Sequence, residues 1–242
     1  MLESFKQLVP LSLKRRYWRF LKNRARAQKK RIRFDGKTAK DTFTYIYNTN
    51  YWNGEESISG GGSDLVHTKV VVEEIGALIK QMNIHSVLDI PCGDFAWMQY
   101  ANLHGASYIG GDIVDDLIVT NTKAFSHNPA LQFKVLDLTS DPLPKSDILI
   151  NRDCLVHLSN HDIFKALQNI KNSGCTYLLT TTFPEHTVNT DISTGHWRAL
   201  NLEKPPFNFC QPLHLISEQY NNPKYSDKSL GLWRVDDLNL FE

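Results

Sequence analysis

From residue 85 onward, short apolar runs alternate with segments whose apolar residues have helical spacing. The runs predict strands at Ser86–Ile90, Ser107–Asp112, Leu131–Leu136, Ile148–Asn151 and Tyr177–Thr182. Helices are predicted at Leu65–Met82 and at about Trp97–Leu103, Asp116–Phe125 and Asp162–Asn172. Strands alternating with helices indicate parallel βαβ units. We predict an α/β fold of three layers: a mostly parallel sheet with helices on both faces, closed by an antiparallel C-terminal strand within residues 213–235.

Length and composition suit one domain of this kind. With 242 residues and 41% apolar residues, the chain can bury a core, but it has no apolar run of the roughly eighteen residues that a membrane span needs. The charged N-terminus lacks the apolar segment of a signal peptide, so we expect a cytoplasmic protein. The four cysteines are far apart and form no CxxC pair, which argues against a zinc module, and we predict no metal site.

Charge is strongly segregated along the chain. Residues 1–33 contain twelve Lys and Arg and the single acid Glu3, whereas residues 34–242 contain fifteen basic and twenty-five acidic residues. Aromatic and aliphatic residues, such as Leu13 and Tyr17, recur at helical spacing in the basic segment. We predict an amphipathic basic arm that contacts an anionic membrane surface, because no RNA-binding motif accompanies the charges and makes nucleic acid less favoured. A solvated arm packed on the acidic body is the alternative.

The predicted strands end in acidic or glycine-containing segments. The first runs into Asp89-Ile90-Pro91-Cys92-Gly93-Asp94-Phe95, a tight turn that is expected to open a helix. The next three end at Gly110–Ile113, at Asp137-Leu138 and at Asn151–Cys154. Ligands of open parallel sheets bind outside the carboxyl ends of the strands, near the point where strand order reverses. These segments therefore predict one shared ligand site.

In pattern and order, residues 64–183 resemble the class I, Rossmann-like S-adenosylmethionine-dependent methyltransferases. The first motif of that family usually reads acidic-x-Gly-x-Gly-x-Gly. Here Pro91 and Phe95 replace two of the glycines, so Phe95 must point away from the ligand or pack beneath it. The whole of residues 45–235 resembles a bacterial-type subgroup with the first motif DIPCGDFAWM, whose members we associate with glycan or cell-surface polysaccharide gene sets.

The resemblance implies S-adenosyl-L-methionine as the cofactor. Asp112, twenty-three residues beyond Asp89, would accept hydrogen bonds from both ribose hydroxyls, and Asp137 would accept one from the adenine amine. Gly93 would let the backbone approach the methionine portion. The cofactor-binding residues that it implies are Asp89, Cys92, Gly93, Asp94, Asp112, Ile113, Asp137, Leu138 and Asn151.

The strand-end acids are less typical of a dehydrogenase or of simple helix caps. A dinucleotide-dependent dehydrogenase needs G-x-G-x-x-G, and Asp94 would repel the diphosphate, whereas a sulfonium cofactor tolerates acidic neighbours. Acids that only cap helices would account for one strand end more readily than for three in succession.

Candidate catalytic residues follow the fourth predicted strand. Asp153 and His157 are four apart, so on a helical turn they would share one face. His157, with an ordinary pKa of about 6.5, could remove a proton from an acceptor hydroxyl, although a half-buried packing histidine is an equal alternative. Arg152 is expected either to neutralise an acidic acceptor or, as we favour, to pair with a nearby Asp. Within the irregular segment 185–212, the loop Asp191–Leu202 predicts either a plug over the sheet edge or, as we favour, a binding loop for a polar, ring-shaped acceptor such as a sugar. The predicted substrate-binding residues are His186, which is also a third candidate base, His196, Trp197 and Arg198.

The sequence thus predicts an S-adenosylmethionine-dependent methyltransferase that acts on a small-molecule or glycan acceptor, methylating a sugar or glycolipid hydroxyl. Its predicted parts are the arm (1–33) and one catalytic domain (34–242), made of a cap and helix (34–84), a cofactor-binding core (85–183), and a substrate loop with the final strands (184–242). The alternatives are an RNA or protein methyltransferase tethered by the arm, and a cofactor-binding scaffold without catalysis.

Overall fold

In a computed structural model, the chain divides into two units, residues 1–37 and residues 38–242. The structure describes residues 34–238. The predicted basic arm at 1–33 therefore lies outside the described residues, and its role stays a prediction. Within the described part, no helix is long and apolar enough to cross a membrane.

The second unit has four α-helices among the described residues, and polar side chains cap the start of three of them. The four helices are α1 (Ala39–Asn48), α2 (Leu65–Gln81), α3 (Asp115–Ala124) and α4 (Asn160–Asn172). The side chains of Thr38, Asp64 and Ser159 accept hydrogen bonds from backbone N–H groups in the first turns of α1, α2 and α4. Each cap satisfies a donor that the helix itself cannot, which sets where the helix starts.

Seven strands form one sheet in the order β3-β2-β1-β4-β5-β7-β6. They are β1 (Ser86–Asp89), β2 (Ser107–Asp112), β3 (Leu131–Val135), β4 (Ile148–Asn151), β5 (Tyr177–Thr182), β6 (His214–Ser217) and β7 (Ser229–Arg234). The first five strands pair in parallel, and β7 is antiparallel to both β5 and β6. The predicted fold is confirmed, including the antiparallel C-terminal strand.

The central strands are buried on both faces of the sheet. One core cluster joins the sheet to α2 through Val71, Ile75, Val87, Ile148 and Leu179. The other joins it to α4 through Ile163, Leu167, Leu88, Leu149 and Leu178. Successive residues of a strand point to opposite faces, which is why β1, β4 and β5 have consecutive rather than alternate buried apolar residues: Val87-Leu88, Ile148–Ile150 and Leu178-Leu179.

The helix predicted at Trp97–Leu103 is wrong. This stretch forms only a single 3-10 turn, Met98–Tyr100. A turn lies at each end of the stretch. Before it, Phe95 has a φ of 57°, which is not helical, and after it the N–H of Ala106 donates to the carbonyl of Leu103 in a tight turn. The apolar spacing that suggested a helix instead reflects burial of Trp97 and Met98 in the core.

Candidate active site

A cavity of about 440 Å³ lies at the carboxyl ends of the central strands. After β1, β2, β3 and β4 it is lined by Pro91–Gly93, Asp112–Val114, Leu136–Thr139 and Arg152–Cys154. Residues of α1 and of the segment Gly60–Ser63 line it as well. The sheet order reverses between β1 and β4, and the two chain segments leaving these strands separate there. A crevice at this point is expected for an open α/β sheet.

Asp112 ends β2 and lines the cavity while being 6% exposed. Its Oδ1 accepts the N–H of Val114 at 3.0 Å, and its Oδ2 accepts the N–H of Gly93 at 3.2 Å. Each carboxylate oxygen therefore keeps acceptor capacity for one further donor. Burial raises the pKa of Asp112 to about 6, against the lowering effect of these two N–H groups.

Gly93 forms the close approach of backbone to cavity that the resemblance implies. Its φ is +56°, a conformation that L side chains rarely adopt. A Cβ placed there would lie 2.4 Å from the Oγ of Ser59, which is closer than real Cβ atoms come to a neighbour. A side chain here would strain the backbone and displace Ser59, so this position favours glycine, which leaves the backbone open to the cavity.

The structure keeps other predicted cofactor residues out of the cavity lining. Asp89 is buried under the turn, where the hydroxyl of Tyr108 donates to it at 2.6 Å and burial raises its pKa to about 7. Asn151 donates to the carbonyl of Ile90 at 2.6 Å and accepts from the hydroxyl of Thr180. These two residues hold the turn and β4 in place.

Asp94 fastens the loop before α2 to the glycine turn. Its carboxylate accepts the hydroxyl of Ser57 and the N–H of Ile58, each at 3.0 Å. Ser59 and Gly60, which follow, line the cavity. Asp94 therefore does not line the cavity itself, but it holds in place a loop that does.

Four further residues predicted to hold the cofactor do line the cavity: Cys92, Ile113, Asp137 and Leu138. The Oδ1 of Asp137 accepts both the N–H and the hydroxyl of Thr139, at 2.8 and 2.7 Å. Burial raises the pKa of the Cys92 thiol well above its usual range, so this side chain is a neutral, packed group.

Phe95 packs beneath the turn, in line with the expectation from the motif. It is 1% exposed and contacts Tyr108, Phe125 and Phe133 with ring centroids 4.9 to 5.2 Å apart. The substitution of a motif glycine by Phe therefore adds core contacts without filling the cavity.

His157 lines the cavity at the end of a 3-10 turn, Leu155–His157. Its Nδ1 lies 2.8 Å from the carbonyl oxygen of His196, which can only accept, so Nδ1 carries the proton. Nε2 is then the nitrogen with a free lone pair. Burial lowers the pKa of His157 to about 4, which keeps the ring neutral at pH 7. Its ring lies 4.8 Å from that of Trp52.

Asp153 belongs to a cluster of four charged side chains, which we call the charge quartet: Arg152, Asp153, Glu218 and Lys228. The Nζ of Lys228 lies 2.6 Å from Asp153 and 3.1 Å from Glu218, and Arg152 lies 2.6 Å from Glu218 and 3.4 Å from Asp153. The expected pairing of Arg152 with an Asp is present.

The quartet also sets the protonation of Asp153. Burial alone would raise its pKa, but the neighbouring Lys228 and Arg152 lower it to about 2. A carboxylate this acidic is a poor proton acceptor at neutral pH. Burial also lowers the pKa of His157, so the choice between the two rests on geometry: the Oδ2 of Asp153 is occupied by Lys228 and Arg152, whereas the Nε2 of His157 keeps its lone pair. This geometry favours His157 over Asp153 as a base.

The predicted acceptor loop contributes one side chain to the cavity. Trp197 lines it and is 40% exposed, whereas His186, His196 and Arg198 do not line it. His196 contributes its carbonyl to His157. The guanidinium of Arg198 donates hydrogen bonds to the backbone carbonyls of Leu155 and Thr190 and to the side-chain oxygen of Asn160. These bonds hold the loop against the core.

Two charged residues at the site had no signal in the sequence. Glu218 and Lys228 lie at the two ends of the loop that joins β6 to β7, where the N–H of Glu218 donates to the carbonyl of Lys228. Lys228 lines the cavity, and Glu218 is its buried partner behind the lining. Nothing local marks them, because their partners are 66 and 75 residues away. The glycine run Gly60–Gly62, in contrast, is visible in the sequence, and it lines the cavity, where glycines permit close approach of the backbone to a ligand.

Comparison with solved structures identifies the fold. The chain is similar to human N-acetylserotonin methyltransferase in complex with SAM, with a TM-score of 0.56 and 14% identity over 82% of this chain and 60% of that one. It is also similar to Burkholderia thailandensis 1,6-didemethyltoxoflavin-N1-methyltransferase with bound S-adenosylhomocysteine, with a TM-score of 0.54 and 14% identity over 81% and 86% of the two chains. The sequence matches no protein-family model and no curated protein.

The chain therefore has the class I, Rossmann-like fold of the S-adenosylmethionine-dependent methyltransferases. The chain is also similar to magnesium protoporphyrin IX methyltransferase from Synechocystis PCC 6803 with bound SAM. The TM-score is 0.50, with 15% identity over 65% of this chain and 82% of that one. The chain spans 60% of the length of the human protein.

Proposed function

We propose that this chain is an S-adenosylmethionine-dependent methyltransferase. The observation that carries the proposal is Asp112, a buried carboxylate at the end of β2 whose two oxygens each have acceptor capacity left toward the cavity. A pair of vicinal ribose hydroxyls matches this arrangement, since each can donate to one oxygen. The SAM and S-adenosylhomocysteine bound in similar structures support the same cofactor.

The residues around Asp112 fit the rest of such a cofactor. Gly93 leaves room where any Cβ would collide with Ser59. Ile113 and Leu138 offer apolar contact for a purine, and Asp137 lies beside them in the lining. Bound S-adenosylmethionine would supply an electrophilic methyl group on a sulfonium centre.

The acceptor group that we propose is a hydroxyl of a sugar or glycolipid. Its proton has to leave as the oxygen forms the new bond to carbon, and a positioned base assists this step. His157 supplies one, because its Nδ1 is fixed on the His196 carbonyl and its Nε2 keeps a lone pair. After transfer the methyl group is on the acceptor oxygen, and the proton is on Nε2.

Calorimetric titration with S-adenosylhomocysteine tests the cofactor assignment. Asp112→Ala removes acceptors worth about 1–3 kcal/mol, so we expect roughly ten- to hundredfold weaker binding than the parent chain. Asp116→Ala, a nearby exposed acid outside the cavity lining, is the matched control and should bind as the parent does. Equal affinity of Asp112→Ala and the parent would refute the role of Asp112, and no binding by the parent would refute the proposal itself.

The acceptor class is tested with radiolabelled methyl donor. Glycolipid, polysaccharide, RNA and protein fractions are incubated separately with the enzyme and the donor. We expect label in a sugar-containing fraction, released as an O-methyl sugar after hydrolysis. Label confined to RNA or protein would contradict the proposed acceptor, and binding of cofactor without any transfer would favour a scaffold.

A further inference from the structure

The end of the cavity near His157 combines aromatic walls with fully paired charges. Phe183, Trp197 and Tyr225 form an aromatic triad, with ring centroids 4.8 to 6.0 Å apart and interplanar angles of 75° to 86°. All three line the cavity, as do Trp52 and Tyr220. Rings set nearly perpendicular to one another offer both faces and edges to a flat guest.

The charges at this end cancel within the protein. The quartet contains two cations, Arg152 and Lys228, and two anions, Asp153 and Glu218, all joined by contacts of 2.6 to 3.4 Å. Glu218 and the two cations are almost completely buried. His157 is neutral at pH 7 because burial lowers its pKa to about 4. Each charged side chain near His157, among the described lining residues, is therefore paired with an opposite charge of the protein, and none is available to pair with a charged ligand.

A charged acceptor would have no counter-ion here. A phosphate, carboxylate or ammonium group moved from water into such a site loses hydration that the wall does not replace, and this loss weakens its binding. A neutral ring has no such cost, and it gains contact with the aromatic faces.

We infer that the acceptor is an uncharged, ring-shaped hydroxyl compound, stacked against the triad of Phe183, Trp197 and Tyr225 and selected against charged analogues by the charge quartet. The inference rests on the proposed function and narrows it: phosphorylated sugars, uronic acids, nucleotides and lysine side chains are excluded as acceptors. In the proposed function this ring is a neutral sugar; a phenol shares the chemistry of an uncharged ring with a hydroxyl, and the experiment distinguishes the two.

Matched trios of probes test the charge preference by calorimetry on the complex with S-adenosylhomocysteine. The sugar trio is phenyl β-glucoside, its glucuronide and its glucosaminide. The phenol trio is para-ethylphenol, para-hydroxyphenylacetate and tyramine. We expect the neutral member of at least one trio to bind at millimolar concentration, and its charged partners to bind roughly tenfold more weakly or worse. The trio that binds distinguishes sugar from phenol.

Two kinds of variant test whether the aromatic triad and the charge quartet cause the preference for neutral probes. Trp197→Ala should lower the affinity for the neutral probe roughly tenfold without changing the affinity for S-adenosylhomocysteine. Tyr100 is an exposed aromatic residue outside the lining, so Tyr100→Ala should change neither affinity. Glu218→Gln removes one anion, so the affinity for the acidic probe should rise relative to that for the neutral one. Lys228→Met removes one cation, so the affinity for the cationic probe should rise relative to that for the neutral one. Because either variant tests the charge preference, the test remains valid if one of them fails to fold.

A charged probe that binds as tightly as its neutral partner, or failure of both neutral probes, would overturn the inference. Failure of the proposed function is a separate result: it is the absence of S-adenosylhomocysteine binding in the first titration. The probe series is then repeated without S-adenosylhomocysteine, so that the charge preference is still measured.

Discussion

Asp112 is buried and His157 half-buried beside the cavity, and their loss of contact with water moves their pKa values in opposite directions. The carboxyl of Asp112 is raised to about 6, and the imidazole of His157 is lowered to about 4, because in each case burial disfavours the charged form. At pH 7 Asp112 is thus mostly ionised and His157 neutral. These are the forms that accept ribose hydroxyls and an acceptor proton.

Affinity for S-adenosylhomocysteine should depend on pH through Asp112. As pH falls through about 6, the carboxylate takes up a proton and loses acceptor capacity, so binding should be tight at pH 7.5 and weaken progressively toward pH 5. Calorimetry across this range measures the effect. Asp112→Asn, which cannot titrate, should show weaker but pH-independent binding. The same slope in both proteins would assign the titration to another group.

His157→Asn should lower kcat about 10²- to 10⁴-fold, the usual contribution of a general base. The Asn amide keeps a donor for the His196 carbonyl but has no basic nitrogen, so affinity for S-adenosylhomocysteine and the melting temperature should stay near those of the parent. Single-turnover methyl transfer gives the rate. His161→Asn, an exposed histidine on α4, is the control. Unchanged turnover in His157→Asn would support the packing role for this residue.

At the scale of elements, the cavity depends on a loop that has little secondary structure of its own. The loop from Ser57 to Ser63 precedes α2, and Asp94 holds its start while Arg152 donates to the carbonyl of Gly62 at 2.8 Å. Both anchors come from segments that follow sheet strands. The position of the loop is therefore set by the sheet.

Asp94→Ala should loosen this loop. The hydroxyl of Ser57 and the N–H of Ile58 each lose a partly buried acceptor, worth about 1–3 kcal/mol in total, so exchange of the Ile58 and Ser59 amides should quicken roughly ten- to hundredfold. Hydrogen exchange with mass spectrometry measures it. Exchange in β4 should be unchanged, and Asp236→Ala, an exposed acid, should leave the loop as protected as in the parent. Equal protection in Asp94→Ala would show that other contacts hold the loop.

At the scale of the whole molecule, the charge quartet joins the two halves of the sheet. Arg152 and Asp153 follow β4, whereas Glu218 and Lys228 belong to the hairpin of β6 and β7 at the far edge. Their mutual contacts fix the C-terminal hairpin relative to the ligand cavity. This connection makes the final strands part of the site.

Glu218→Ala should lower the free energy of unfolding by about 3–5 kcal/mol, because it leaves Arg152 and Lys228 buried with one anion between them. Urea denaturation measures the loss. Glu185→Ala, at an exposed position, should stay within about 0.5 kcal/mol of the parent. A loss below about 1 kcal/mol in Glu218→Ala would mean that water or other groups compensate the two cations.

The sequence by itself determined the strands, their parallel pairing and the strand-end position of Asp112, because runs buried on both faces and acids at their ends are local patterns. It could not determine the charge quartet, since Arg152 and Glu218 meet only through the pairing of β5, β7 and β6. Nor could it tell that Asp89 is buried beneath the glycine turn and that Asp94 binds the loop before α2, while Asp112 faces the cavity. All three are acids beside apolar strands, and only the folded backbone decides which carboxylate is covered by neighbouring residues and which is left facing the cavity.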